Sequence, residues 1–96
     1  MAMTNRGPSS LRVDYDRPVD VLRIVRGEFT DYEGDGMPNG LELDYAVEDN
    51  SACGAKVIGF ERNGWLDEID ALAALVAVHL SADPKTVKQA IRRAVT

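Results

Sequence analysis

The chain has 96 residues with a formal net charge of -5, and 45% of them are hydrophobic. That length holds one small domain with a thin core, and that composition excludes wholesale disorder. A single cysteine, Cys53, excludes an internal disulfide, and no apolar run reaches the ~18 residues of a membrane span, so a cytoplasmic protein is expected.

Residues 1–10 are polar, contain Gly7 and Pro8, and read as a disordered tail without the apolar stretch of a signal peptide. Residues 11–96 read as one α+β domain, with a β-meander over 11–62 and a helical hairpin over 65–95. Leu11, Val13 and Tyr15 alternate with Arg12, Asp14 and Asp16, the period-two pattern of a half-buried strand. Arg17-Pro18 interrupts it, because proline lacks the ladder donor and favours a turn. A second strand follows over Val19 to Val25, rich in β-branched residues, so the pair reads as a hairpin.

Gly34, Gly36, Pro38 and Gly40 then mark an irregular loop. Leu41, Leu43, Tyr45 and Val47 alternate with Glu42, Asp44 and Ala46 in a third strand, and Lys56 to Glu61 forms a fourth, with Gly59 as a bulge. Asp14, Asp16, Asp20 and Asp44 fall at alternating positions and are expected to face solvent, since burying them together is costly. The predicted architecture is therefore a four-stranded antiparallel sheet of two hairpins followed by two C-terminal helices.

Trp65 to Leu80 is rich in Ala and Leu, with Asp67, Glu68 and Asp70 in its first turns, where carboxylates suit the positive end of the helix dipole. Asp83 can cap a second helix with Pro84 at its first position, running to about Ala94 and burying Val87, Ala90, Ile91 and Ala94. From Ala71 to Val78 every residue is apolar, and a helix apolar all round wants cover on every side. One sheet and one neighbouring helix cover two sides, so the third predicts a homodimer whose interface includes Leu72, Leu75, Val76 and His79.

Two short patterns built around Asp-Tyr carry a family resemblance. They are Val13-Asp14-Tyr15-Asp16 followed by Asp20-Val21-Leu22-Arg23-Ile24, and Leu43-Asp44-Tyr45 followed by Val57-Ile58-Gly59-Phe60-Glu61. Over residues 11–61 the chain resembles a family of small bacterial proteins, the domain of unknown function numbered twenty-two eighty-three. The resemblance implies a small antiparallel β-unit without known catalytic residues, and an adaptor or antitoxin role beside a small toxin-like partner. The turn from Ala46 to Lys56 is longer than the family's tight acidic turn, and the two C-terminal helices go beyond its short ending.

Charge and spacing add three candidate sites. Glu28, Asp31, Glu33, Asp35, Glu42, Asp44, Glu48 and Asp49 lie in a stretch without Lys or Arg, a surface suited to a small basic protein partner. Within it Asp31, Glu33, Asp35, Asn39 and Glu42, with Gly36 at the turn position, match the oxygen spacing of a calcium loop. Glu33 and Pro38 depart from that pattern, and the flanks read as strands. Lys85, Thr86, Lys88, Gln89, Arg92 and Arg93 occupy the recognition-helix positions of a helix-turn-helix-like segment over 77–93, with nucleic acid as its partner. Ser81 stands there in place of the usual turn glycine.

His79, Cys53 and Trp65 stand without the partners that nucleophilic catalysis needs, and no phosphate loop or zinc spacing occurs. The expectation is a non-enzymatic protein-interaction module with no cofactor. DNA binding and calcium binding are the alternatives.

Overall fold

The computed structural model describes residues 11–29 and 31–96, so the expected tail at 1–10 lies outside the described residues. β1 (Leu11–Asp16) and β2 (Val21–Arg26) form the first hairpin. β3 (Tyr32–Gly36), β4 (Leu41–Ala46) and β5 (Ala52–Ile58) form an antiparallel meander. β5 pairs with β2, which closes one five-stranded sheet of order β1-β2-β5-β4-β3. α1 (Ile69–Leu80) and α2 (Pro84–Val95) follow. The α+β class and the C-terminal helices are as expected from the sequence, but the sheet has five strands rather than four.

The additional strand, β3, lies inside the expected loop. Its sequence, Tyr-Glu-Gly-Asp-Gly, has no apolar alternation because every residue in it is exposed. It exists by pairing with β4 across a turn in which Asn39 and Gly40 both take positive φ, 64° and 81°. Asn-Gly is the pair that tolerates left-handed backbone in a tight hairpin. A Cβ on Gly40 would also run into the Ile58 carbonyl. As an edge strand, β3 is short and charged, which discourages pairing with another sheet.

The second strand begins at Val21 rather than Val19, because Arg17–Val19 is a 3-10 turn ended by Asp20 in left-handed conformation, φ 59°. Asp20 ties two turns together. Its Oδ1 accepts from the Tyr15 hydroxyl at 2.6 Å and the Glu61 amide at 2.8 Å, and its Oδ2 accepts from the Arg62 amide at 3.0 Å. Its carbonyl accepts from the Gly59 and Phe60 amides. The expectation that Asp20 faces solvent is thus corrected. Burial pushes its carboxyl up, but the Tyr15 hydroxyl and the two amides outweigh this and hold it below the usual carboxylate range. The same bond pushes the Tyr15 phenol up to about 12.

One sheet face is covered by helices. Leu22, Ile24, Ala55, Val57 and Leu41 meet Leu72, Val76, Leu80, Val87 and Ile91 in a single core, each large side chain contributing roughly 1.5–3 kcal/mol. α2 lies against β1 and α1 against β5. A 3-10 turn, Trp65–Glu68, leads into α1. The Trp65 indole donates to the Asn39 carbonyl at 2.8 Å, fastening that turn to the β3–β4 hairpin.

In α1 the buried residues Ile69, Leu72, Ala73, Val76, Ala77 and Leu80 form one stripe. Leu72 and Val76 are fully buried in the chain's own core, so they cannot also line an interface between copies. His79 is turned to the sheet, where its Nε2 lies 3.0 Å from the Asp44 carbonyl and its ring meets Tyr45 edge-on. A carbonyl only accepts, so Nε2 carries the proton. At the start of α2, Asp83 holds the cap position, but its carboxylate accepts from the Thr86 hydroxyl at 3.1 Å rather than from a backbone amide.

Candidate functional site

The helices leave the other sheet face open. Strand alternation and register place Arg12, Asp14 and Asp16 of β1, Val21, Arg23 and Val25 of β2, Gly54, Lys56 and Ile58 of β5, and Glu42, Asp44 and Ala46 of β4 on it. The row Asp14, Arg23, Lys56, Glu42 crosses four strands with charges in every position. Lys56 Nζ lies 3.6 Å from Glu42 and 3.3 Å from the Tyr32 hydroxyl, and sits over the Tyr32 ring.

Asp44 is the buried charged residue on this face, beside the buried Ala46 and Gly54. The sequence places it at the surface, yet only 7% of it is exposed. Its cross-strand neighbours are Gly34 on β3 and Gly54 on β5, so no flanking side chain holds it out towards water. A bulge adjoins it, since Asp44 pairs with Gly54 and Tyr45 with Ala52, leaving Cys53 as the extra residue. Bulges next to functional groups re-aim side chains. Arg23, Val25, Phe29, Tyr32, Lys56 and Asp44 line a cavity of about 170 Å³, with Phe29 and Tyr32 in edge-to-face contact at 5.9 Å.

Burial pushes the Asp44 carboxyl up to about 7, and a hydrogen bond with Glu42 and the Glu42 charge add to this while Lys56 opposes it. Asp44 Oδ1 is buried and has no hydrogen-bond partner among the described residues. A buried acceptor left unmade costs about 1–3 kcal/mol, so this oxygen favours any donor that reaches it. Cys53 also lines the cavity, and burial pushes its thiol up, away from the reactive thiolate.

The calcium-loop residues do not converge. Residues 32–36 are extended, so Glu33 and Asp35 face the helix side opposite Tyr45 and Leu43, while Glu42 lies on the open face. Asn39 occupies the hairpin turn, and Asp31 accepts from the Tyr32 amide. Among the described residues no three His, Cys, Asp or Glu side chains gather where a metal ion could be held.

The residues of the expected recognition helix divide. Lys85, Thr86, Gln89, Arg92 and Arg93 are exposed on α2. Lys88 is drawn back to Asp70 on α1 at 2.7 Å, and Thr86 bonds Asp83.

Of the four expected interface residues only Leu75 is exposed, at 46%. The exposed residues of α1 are Asp70 at its start and the apolar Ala71, Ala74, Leu75 and Val78, and Val78 is 82% exposed. The sequence does not single out Ala71, Ala74 and Val78 as interface candidates, because a run that is apolar throughout does not reveal which stripe faces the sheet.

The chain matches no family model, no curated protein and no solved structure. No described helix is long and apolar enough to cross a membrane.

Proposed function

We propose that this chain is a non-enzymatic interaction module that works as a homodimer, joined along the outward face of α1 and presenting its acidic stretch from Glu28 to Asp49 to a small basic protein. The observation that carries this reading is the uncovered apolar stripe Ala71, Ala74, Leu75 and Val78. Contiguous exposed apolar surface marks a contact site, and a closed two-fold pair is the simplest assembly that covers it. Ala71 and Ala74 let two helices approach closely. An antiparallel pairing brings Asp67 and Glu68 of one copy towards Lys85 of the other, which follows the C-terminal end of α1. The resemblance to the family of unknown function supports the adaptor or antitoxin role, since the residues that carry it fall on four adjacent strands, β1, β2, β5 and β4, and on the turns that flank them.

The test is the mass in solution of the native chain and of Val78→Asp. The native chain is expected as a dimer and the variant as a monomer with unchanged far-ultraviolet circular dichroism, because Val78 contributes nothing to the chain's own core. A native chain that stays monomeric at millimolar concentration contradicts the reading.

A second reading, duplex binding through α2, is favoured by the exposure of Lys85, Gln89, Arg92 and Arg93 on that helix. It predicts affinity that falls steeply with salt and with Lys85→Ala and Arg92→Ala, measured by fluorescence anisotropy. Salt-independent or absent binding removes it.

A further inference from the structure

We propose that the cavity at Asp44 is a binding site for a small zwitterion of the α-amino acid class, with the ligand's ammonium on the Asp44 carboxylate, its carboxylate on Arg23 and its apolar side chain against Phe29 and Val25. This goes beyond the homodimer reading and does not depend on it.

The chemistry of the lining decides the class. Asp44 Oδ1 is buried and without a partner among the described residues, so it calls for a hydrogen-bond donor. Arg23 is exposed at the cavity rim and makes no hydrogen bond or ion pair with a described residue, so its guanidinium is available for a carboxylate, the group it matches in a bidentate fork. Lys56, the other cation, is already engaged by Glu42 and Tyr32. Among the described residues the cavity thus offers one open acceptor and one open cationic donor, and a ligand with a single charge satisfies only one of them.

Position and size agree. Asp44 and Arg23 lie on β4 and β2, with β5 between them and two residues out of register, roughly 12 Å apart between backbones. The β5 residue opposite Asp44 is Gly54, so the floor beside Asp44 carries no side chain, while Lys56 stands opposite Arg23; a Cβ on Gly54 would meet the Ile24 carbonyl. A volume near 170 Å³ equals the liquid share of about five or six waters, enough for a solute of a few non-hydrogen atoms and too small for a nucleotide. Phe29, Tyr32 and Val25 give it apolar walls, as ligand cavities commonly have.

The groups facing Asp44 set the pH dependence. They are Glu42 on its own strand, Lys56 and Cys53 on β5, Arg23 on β2, Tyr32 on β3, and His79 of α1, which bonds the Asp44 carbonyl. An ammonium is held best by the ionised carboxylate, so affinity rises as pH is raised through about 7.

The experiment is an amide chemical-shift titration of the intact protein with the standard free amino acids, methylammonium and acetate at mildly alkaline pH. At least one small apolar amino acid is expected to give saturable shifts at Phe29, Tyr32 and Gly54, with methylammonium and acetate binding at least about tenfold more weakly. Asp44→Asn and Arg23→Gln should each weaken the amino acid at least about tenfold while leaving the remaining spectrum folded. Saturation by no amino acid, equal affinity for either singly charged probe, or undiminished binding by Asp44→Asn each overturns the proposal. Should Asp44→Asn perturb the fold, Arg23→Gln carries the same test from a residue outside the core.

Discussion

Replacing Asp20 with alanine is expected to destabilise the protein by about 2–4 kcal/mol, the largest effect of any surface-accessible carboxylate in the chain. The change removes three side-chain bonds, from the Tyr15 hydroxyl and from the Glu61 and Arg62 amides. Each bond to a charged group contributes about 1.5–3 kcal/mol, reduced here because water can reach the exposed Glu61 and Arg62 amides. Alanine also tolerates the φ of 59° poorly. For a domain of this size the loss corresponds to a fall in Tm of roughly 10–25 °C.

Two further variants separate strain from bonding. Asp20→Gly accepts the left-handed backbone yet lacks the carboxylate, so it should remain clearly destabilised. Tyr15→Phe removes one bond only and should cost about 1–2 kcal/mol. The expected order in thermal melts is Asp20→Ala worst, then Asp20→Gly, then Tyr15→Phe. An Asp20→Gly protein as stable as the native one would show that the carboxylate bonds contribute nothing.

The second large effect is a pH dependence with opposite signs at two aspartates. The folded-state pKa of Asp20 lies below its ordinary value, so its contribution is present above the unfolded carboxylate range and is lost as pH falls through that lowered value. Asp44 is raised to about 7, so folded protein holds a proton that unfolded chain releases at about pH 3.9. Its contribution is therefore complete below the unfolded pKa and is lost as pH rises through about 7. The scale of that loss is on the order of 4 kcal/mol, at about 1.4 kcal/mol for each pH unit between the unfolded and folded midpoints. Stability measured by urea unfolding should thus peak at mildly acidic pH. In Asp44→Asn the decline between mildly acidic and neutral pH should be largely abolished, and at neutral pH the variant should be at least as stable as the native chain. An unaltered decline in the variant would assign it to other groups.

These two aspartates also show how far the fold is legible in the sequence. Alternation identifies β1, β4 and the body of β2 because each lays one face on a core, and burial imposes the period. Of β5 it finds only Lys56–Ile58, because the expected strand runs on to Glu61 and takes Gly59 as a bulge, whereas the strand begins at Ala52, bulges at Cys53 and ends before a turn at Gly59. It fails at β3, where the strand is exposed throughout and nothing selects apolar residues. The signal available there is Asn39-Gly40, a hairpin turn pair, hidden within a glycine-rich stretch that reads as a loop. Asp20 is misplaced by a strand that starts two residues early, at Val19. Its role depends on the β5–α1 turn some 40 residues away, at Glu61 and Arg62. Asp44 obeys the alternation of its strand, and alternation puts it on the face without helices. Its surroundings are the Glu42 side chain, which lies over Gly34, and the Phe29, Tyr32 and Lys56 side chains of the cavity, a tertiary arrangement with no local signature. The helices are legible from Ala and Leu content and from Pro84. Which stripe of α1 faces the sheet is not, so Leu72 and Val76 are expected outward and lie inward.

Asp20 and Asp44 divide the labour of the sheet, one fixing its turns and the other held in a cavity as an open acceptor. The most direct measurement is a pH titration of the aspartate side-chain carboxyl carbons by NMR. Asp44 is predicted to titrate near 7, and Asp20 below the ordinary carboxylate range. An Asp44 carboxyl with an ordinary midpoint would mean that water already satisfies it, and the cavity would then be no prepared site.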